Sequence, residues 1–323
     1  MSHELNPKAR ARLTASAAGG SILVAGLLVS LKLWAAWRTD STAMLGSLAD
    51  SALDLVASLA TLIGVWIAAQ PADEDHRFGH GKAEALAAML QVVLIALSAF
   101  GLTFRAVGQM LQGGSVAAAE EGIAVSLIAI AATFALLAWQ RHVIRRTGSV
   151  AIGADHVHYQ SDLLLNLGVI VALALDQFAG FAGADPLFGL AIALWLGWGA
   201  WRASGEAINH LMDREWPEEK RTRFLEVLAR HPELRGVHDL RTRTSGMHDF
   251  VQFHAAVDGA MTVSEAHRVM DELEERIERA FPGVEVLIHP DPEGRLTDQA
   301  ERSDRSSLQS EELLPDIKTG KRS

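Results

Sequence analysis

Long apolar runs alternate with short polar breaks over the first two thirds of the chain and then stop. A helix needs about 20 mostly apolar residues to cross a hydrocarbon layer. Six runs meet that length, with edges near 17–37, 43–69, 84–108, 119–140, 152–175 and 186–206. The pattern predicts a six-helix transmembrane domain over 17–208, after a polar segment 1–16. Gly, Ala and Ser are frequent in the runs, as expected where helices pack closely in lipid. Trp34 and Trp37 lie near one end of the first run, and Trp198 and Trp201 near one end of the last, as interface anchors do. The first run follows a polar start and continues too far for the short core of a cleaved signal.

The pattern changes over 209–292 to that of a charged, soluble domain. Pro217 followed by two glutamates reads as a helix start, with Phe224, Leu225 and Leu228 on one face. His238–Thr244 and Phe250–Val257 read as strands around a Ser245-Gly246 turn. Thr262-Val-Ser-Glu265 is a capping box. It opens a helix with Ala266, Met270, Leu273, Ile277 and Phe281 at helical spacing. Val284–Ile288 is a last short strand. The order is α-β-β-α-β. Residues 293–323 are polar and aperiodic and read as a disordered tail.

Composition narrows the class. Of 323 residues, 49% are hydrophobic and 21% charged, with a formal net charge of −10. No basic stripe is available to neutralise phosphates, which disfavours nucleic-acid binding. Cysteine is absent, so any metal site must use the 13 histidines and the carboxylates. Lys8, Arg10 and Arg12, then Arg77 and Lys82, then Arg141, Arg145 and Arg146 fall on one side of the predicted bilayer. The positive-inside rule puts that side, and both termini, in the cytoplasm.

The chemistry lies in charges at membrane depth. The second run holds Asp50 and Asp54, and the fifth holds His158 and Asp162. Each pair is spaced i, i+4 and so faces one way. An ionised Asp at a helix centre costs roughly 2.5–3.5 kcal/mol on the lenient scale. Lys32 is the one basic residue plainly inside a run, so the counter-ion is a bound cation or protons. Three carboxylates and one imidazole suit tetrahedral zinc, and tolerate ferrous iron, cadmium or manganese. A water-filled crevice lined by singly hydrogen-bonded acids is the alternative.

Two further clusters lie outside the runs. Asp73, His76 and His80 share the short loop between the second and third runs, at a spacing that fits zinc and fits a solvated loop equally well. His238, His254, His267, His289 and Asp291 are concentrated in the soluble domain, though scattered histidines are also common surface residues. Lys82 and Asp213 flank the membrane domain on its cytoplasmic side, as a salt bridge or as a solvated pair.

These stretches resemble the cation diffusion facilitator family, and within it the bacterial zinc and ferrous-iron efflux branch. The resemblance covers about residues 10–292. It rests on Leu48-Ala-Asp-Ser-Ala-Leu-Asp54, the segment Gln70–Glu84 with Phe78-Gly-His-Gly-Lys82, Asp155–Asp162 with His158-Tyr-Gln-Ser-Asp162, His238–Arg243 and Ile288–Pro292. It implies a homodimer in a bacterial inner membrane, with a metallochaperone-like cytoplasmic domain. Asp50, Asp54, His158 and Asp162 would form the transport site, and Asp73, His76 and His80 a loop site. His238, His254, His289 and Asp291, with His267 from the partner chain, would form a two-metal site at the cytoplasmic dimer interface. Lys82 and Asp213 would interlock the protomers. Pro290 departs from the family's usual Gln, which removes a side-chain ligand but keeps the backbone carbonyl.

The expected function is efflux of Zn2+, with Fe2+ or Cd2+ accepted, driven by inward proton movement. A non-transporting metal sensor is the alternative from another class. An intramembrane metalloenzyme is disfavoured, since neither His-Glu-x-x-His nor Gly-x-Ser-x-Gly occurs. A passive channel is disfavoured because four full ligands would hold an ion too tightly for fast conduction.

Overall fold

The computed structural model describes residues 7–39, 42–112, 123–179 and 184–293. The tail read from the sequence lies outside them from residue 294 onward. The described residues divide into two compact units, one of them 8–211 and the other containing 212–293.

The first unit holds six helices: α1 (Pro7–Thr39), α2 (Thr42–Ala68), α3 (Ala83–Gln112), α4 (Ile123–Thr147), α5 (Val150–Ala179) and α6 (Ala184–Leu211). Among the described residues, four stretches are long and apolar enough to cross a membrane: Lys8–Trp34, Ser51–Ala68, Ala83–Leu111 and Leu127–Thr147. Helices α5 and α6 have comparable lengths of 30 and 28 residues. The helices outrun the apolar runs. α1 begins ten residues before the first run because Lys8, Arg10 and Arg12 sit on a helix that continues beyond its apolar part. α4 likewise carries Arg145 and Arg146 in its last turn and ends at Gly148, which has φ +66°. Glycine takes that left-handed conformation without a Cβ penalty.

Small residues set the spacing. A Cβ on Gly64 of α2 would lie 2.3 Å from the Ala87 Cβ of α3, so only glycine allows this approach. α3 packs mainly on α6, while α5 touches α2, α3, α4 and α6. Lys32 of α1 donates to Ser51 Oγ of α2 at 2.6 Å, which gives this basic residue within an apolar span a polar contact.

The second unit contains α7 (Glu218–Leu228), β1 (Gly236–Ser245), β2 (His248–Val257), α8 (Val263–Ala280) and β3 (Val284–Pro292). This is the α-β-β-α-β order read from the sequence. β1 and β2 are antiparallel, and β3 adds parallel to β2, giving the order β1-β2-β3. The hairpin turns at Gly246, at φ +57°. Glycine is the residue of choice at such a first loop position. Thr262 caps α8, with both hydrogen bonds of the capping box formed.

Period-two alternation assigns the faces. Val237, Val251, Phe253, Ala255, Val257, Val286 and Ile288 point into a core closed by Phe224, Leu228, Leu273 and Ile277 of the helices. The residues between them, including His238, His254 and His289, therefore share the opposite face. Register completes the arrangement: His238 pairs with His254, and His254 with His289, so three histidines occupy one cross-strand row.

Candidate metal sites

α2 and α5 bring Asp54, His158 and Asp162 together. His158 Nε2 lies 3.1 Å from Asp54 Oδ1 and 3.8 Å from Asp162 Oδ2. The three donor atoms lie within 4.8 Å of one another. His158 is buried, and its Nε2 lacks a partner in hydrogen-bonding geometry. A buried imidazole nitrogen is rarely left so. Here it faces two carboxylate oxygens, the arrangement a bound cation would complete. Asp50 stands one turn before Asp54 on α2; its side chain lies outside the described residues.

A polar layer lies one turn from this cluster, and sequence reasoning did not single it out. Asp155 is fully buried on α5. Its carboxylate accepts from Ser21 Oγ of α1 at 2.5 Å, Gln140 Nε2 of α4 at 2.7 Å and Gln91 Nε2 of α3 at 3.0 Å. Tyr159 donates to the Ser21 carbonyl at 3.0 Å and lies 2.8 Å from Ser58 Oγ of α2. Asp155 shares a helix face with His158 at i, i+3 spacing, a signal present in the sequence.

The loop between α2 and α3 folds around Asp73. One carboxylate oxygen accepts from the backbone amides of His76, at 2.6 Å, and Asp75, at 3.0 Å. The His76 amide foremost, with the neighbouring His76 and His80 side chains, holds the Asp73 carboxyl below the usual carboxylate range. His76 Nδ1 lies 3.2 Å from one oxygen and His80 Nε2 3.2 Å from the other. His80 Nδ1 is 3.2 Å from the Pro71 carbonyl. A proton on Nδ1 would be donated there, leaving the Nε2 lone pair toward Asp73, as metal-ligating histidines are usually oriented.

In the α+β unit Asp291 gathers three histidines. Its Oδ2 is 2.7 Å from His254 Nδ1 and 3.3 Å from His238 Nε2, and its Oδ1 is 3.4 Å from His289 Nε2. His238, His254 and Asp291 form one compact donor group. His238 Nδ1 is buried without a hydrogen-bond partner. Burial first, and the neighbouring His254 second, pull the His238 imidazole below its ordinary value, so its neutral, ligating form is favoured. His267 does not join this group within the chain; it lies exposed on α8, 3.3 Å from Asp271. Asp239 went unnoticed in the sequence. It sits where the β1–β2 register shifts, at φ +49°, with its carboxylate 3.9 Å from His254 Nε2. No sequence pattern marks a β-bulge of this kind.

Lys82 donates to the Leu211 carbonyl at 3.1 Å. Asp213, at φ +55°, accepts from Arg243 at 3.4 Å. His231, Glu233 and Glu272 form a further donor group in the α+β unit. There Arg268 already pairs with both glutamates, at 2.9 and 2.7 Å, and supplies the cation.

Comparison with known proteins covers nearly all of the described chain. The family model for the cation efflux transmembrane domain matches residues 20–212. That for the cation efflux protein, cytoplasmic domain, matches 216–293. The cation-efflux pump FieF of Pectobacterium atrosepticum is 42% identical over 295 residues, 89% of this chain and 98% of the relative. That of Klebsiella pneumoniae is 41% identical over 281 residues, 87% and 93% of the two chains. Among solved structures, CzrB in its Zn form is 44% identical, covering 25% of this chain and 94% of its own, with a TM-score of 0.24.

Proposed function

This chain belongs to the cation efflux family, and from that premise we propose that it exports divalent transition-metal ions from the cytoplasm in exchange for protons. Zn2+ is the foremost cargo, with Fe2+, Cd2+ or Mn2+ also compatible with the ligands. The observation that carries this reading is the buried His158 Nε2, without a hydrogen bond and facing the carboxylates of Asp54 and Asp162.

The donor set explains the cargo. Asp54, His158 and Asp162 supply two carboxylates and one imidazole, and Asp50, one turn from Asp54, makes the set O3N. Such a set suits zinc and tolerates the neighbouring divalent ions. Each ligand binds metal only when deprotonated, so protons and metal compete for the same lone pairs. An imidazole titrates near neutral pH when unperturbed, which makes His158 the coupling residue. Metal arriving from the cytoplasm displaces a proton from His158. When the bundle opens outward, reprotonation helps release the metal, as alternating access requires.

The other clusters take supporting roles. Asp73, His76 and His80 bind a second ion near the cytoplasmic mouth. His238, His254, His289 and Asp291, with the partner chain's copy of His267, bind metal across a homodimer interface. The exposure of His267, apart from the other ligands of its own chain, supports that sharing. Metal there favours transport only if it binds one dimer arrangement more tightly than another. Lys82 and Asp213 interlock the protomers, both termini are cytoplasmic, and the protein resides in a bacterial inner membrane. The distribution of basic residues supports that orientation.

The test is counterflow. Purified protein in liposomes, loaded with a pH-sensitive dye, receives Zn2+ with and without an imposed pH gradient. Zinc entry matched by proton exit supports the exchanger. Zinc binding with neither flux under any gradient contradicts it and favours a sensor.

A further inference from the structure

We infer that Asp155 is a positioning residue that fixes the register of α5 against α2 and thereby sets the transport site's ligand geometry. It would act through helix placement and not by touching the ion. The inference rests on the export reading above for its consequence, and on the polar layer for its physical basis.

The carboxylate is an acceptor shared by three helices. Ser21 of α1 and Gln140 of α4 donate to Oδ2, and Gln91 of α3 donates to Oδ1. Gln91 reaches further: its Nε2 also lies 3.0 Å from Thr61 Oγ1 and 3.3 Å from the Ala57 carbonyl, both on α2. Asp54 stands one turn before Ala57, and His158 one turn after Asp155. Asp155, Gln91 and the Ala57–Thr61 turn therefore form a short bridge between the two helices that carry the ligands. Tyr159, beside His158, adds a direct link through Ser58 of α2.

Such a layer costs more to break than to omit, because each stranded polar group stays buried. In a membrane it specifies one alignment of otherwise similar apolar surfaces. The ligands it aligns need that precision, since groups that orient metal ligands typically change affinity 10–100-fold when lost.

The chemistry of the layer supplies a discriminating test. Asp155 offers only acceptors. Asp155→Asn would turn an amide N–H toward donors on at least one side. Gln140 cannot answer by flipping, because its Nε2 also donates to Ser21 Oγ and its Oε1 lies 3.2 Å from His156 Nδ1. Gln140→Glu would answer: the carboxylate moved to α4 accepts from the new amide on α5 and from Ser21, and still faces His156.

The chain has no native cysteine, so Leu59→Cys and Leu167→Cys, both exposed on α2 and α5, can carry a spin-label pair. Labelled chain is diluted into unlabelled chain, and zinc flux is measured alongside. Asp155→Asn is expected to shift or broaden the α2–α5 distance by about 1 Å or more and to raise the KM for zinc about 10-fold. The Asp155→Asn/Gln140→Glu pair should restore both. Wild-type distance and KM in Asp155→Asn overturn the inference. So does a double variant as defective as the single, which would place the required charge on α5 itself. If the single variant fails to fold, the double variant alone decides by the same criteria. If wild-type protein moves no zinc, the export reading fails while the distances still decide the positioning role.

Discussion

Asp291 holds the Nδ1 of His254 at 2.7 Å with the same carboxylate oxygen that lies 3.3 Å from His238 Nε2. One residue thus gathers a row of histidines that the sheet register places side by side. Asp291→Ala should abolish zinc-dependent stabilisation of the α+β unit that carries this site, while the two sites of the helical unit keep theirs. At zinc concentrations near 100 Kd, wild type gains about 2.7 kcal/mol by linkage. Hydrogen exchange of the full chain with zinc and with chelator, resolved by segment, checks this: in the variant the protection of β1–β3 and α8 should no longer depend on zinc. His267→Ala should lose the zinc-induced tightening of the dimer while keeping part of the stabilisation.

The aromatic core of the α+β unit should govern its stability without metal. Phe224 is fully buried and packs against Trp216, Phe253 and Phe281 at ring separations of 6.0, 5.8 and 5.6 Å. Phe224→Ala is expected to cost about 3–5 kcal/mol. Hydrogen exchange resolved by segment should show lost protection over β1–β3 and α8, and unchanged protection over α2 and α5.

The capping box predicts an acid response. Hydrogen bonds from Thr262, its backbone amide first, hold the Glu265 carboxyl below its ordinary value. A depressed folded-state value stabilises above the unfolded value and is lost as pH falls through the folded one. Protection of α8 in hydrogen exchange should therefore decline on acidification below the ordinary glutamate range. Thr262→Ala should cost about 1 kcal/mol at neutral pH and should blunt that decline. An undiminished acid response in the variant would refute the assignment to Glu265.

Gly64 makes a steric prediction. Its missing Cβ is what lets α2 approach Ala87 of α3. Gln91 lies one turn further along α3, and Thr61 one turn back along α2, so a wedge at 64 would also strain their hydrogen bond. Gly64→Ala should destabilise the bundle by about 1–3 kcal/mol, as overpacking does. A lower thermal midpoint in detergent, with the α+β unit unaffected, checks it.

These relationships differ in how far the chain alone discloses them. Helices, strands and the capping box are legible because period and cap chemistry are local. Asp54, His158 and Asp162 are legible because an ionisable residue in an apolar run stands out. Ser21, Gln91 and Gln140 do not stand out: an amide or hydroxyl in a span looks the same whether it meets lipid or a carboxylate on another helix. Asp155 lies near the start of its run, where a charge raises no alarm. Asp239 depends on a bulge and a positive φ, which only the folded strand pair reveals. α1 is longer than its apolar run because hydropathy reports the lipid-facing part of a helix and not its ends.

The central claim is that His158 carries the cargo with the two aspartates, and zinc flux tests it most directly. Wild type and His158→Ala would be compared in proteoliposomes under one pH gradient, each first shown to be folded by its thermal transition. The account predicts gradient-driven zinc flux in wild type and a loss of at least about 100-fold in the variant, on the scale of a displaced reacting group. Undiminished flux in His158→Ala would contradict it.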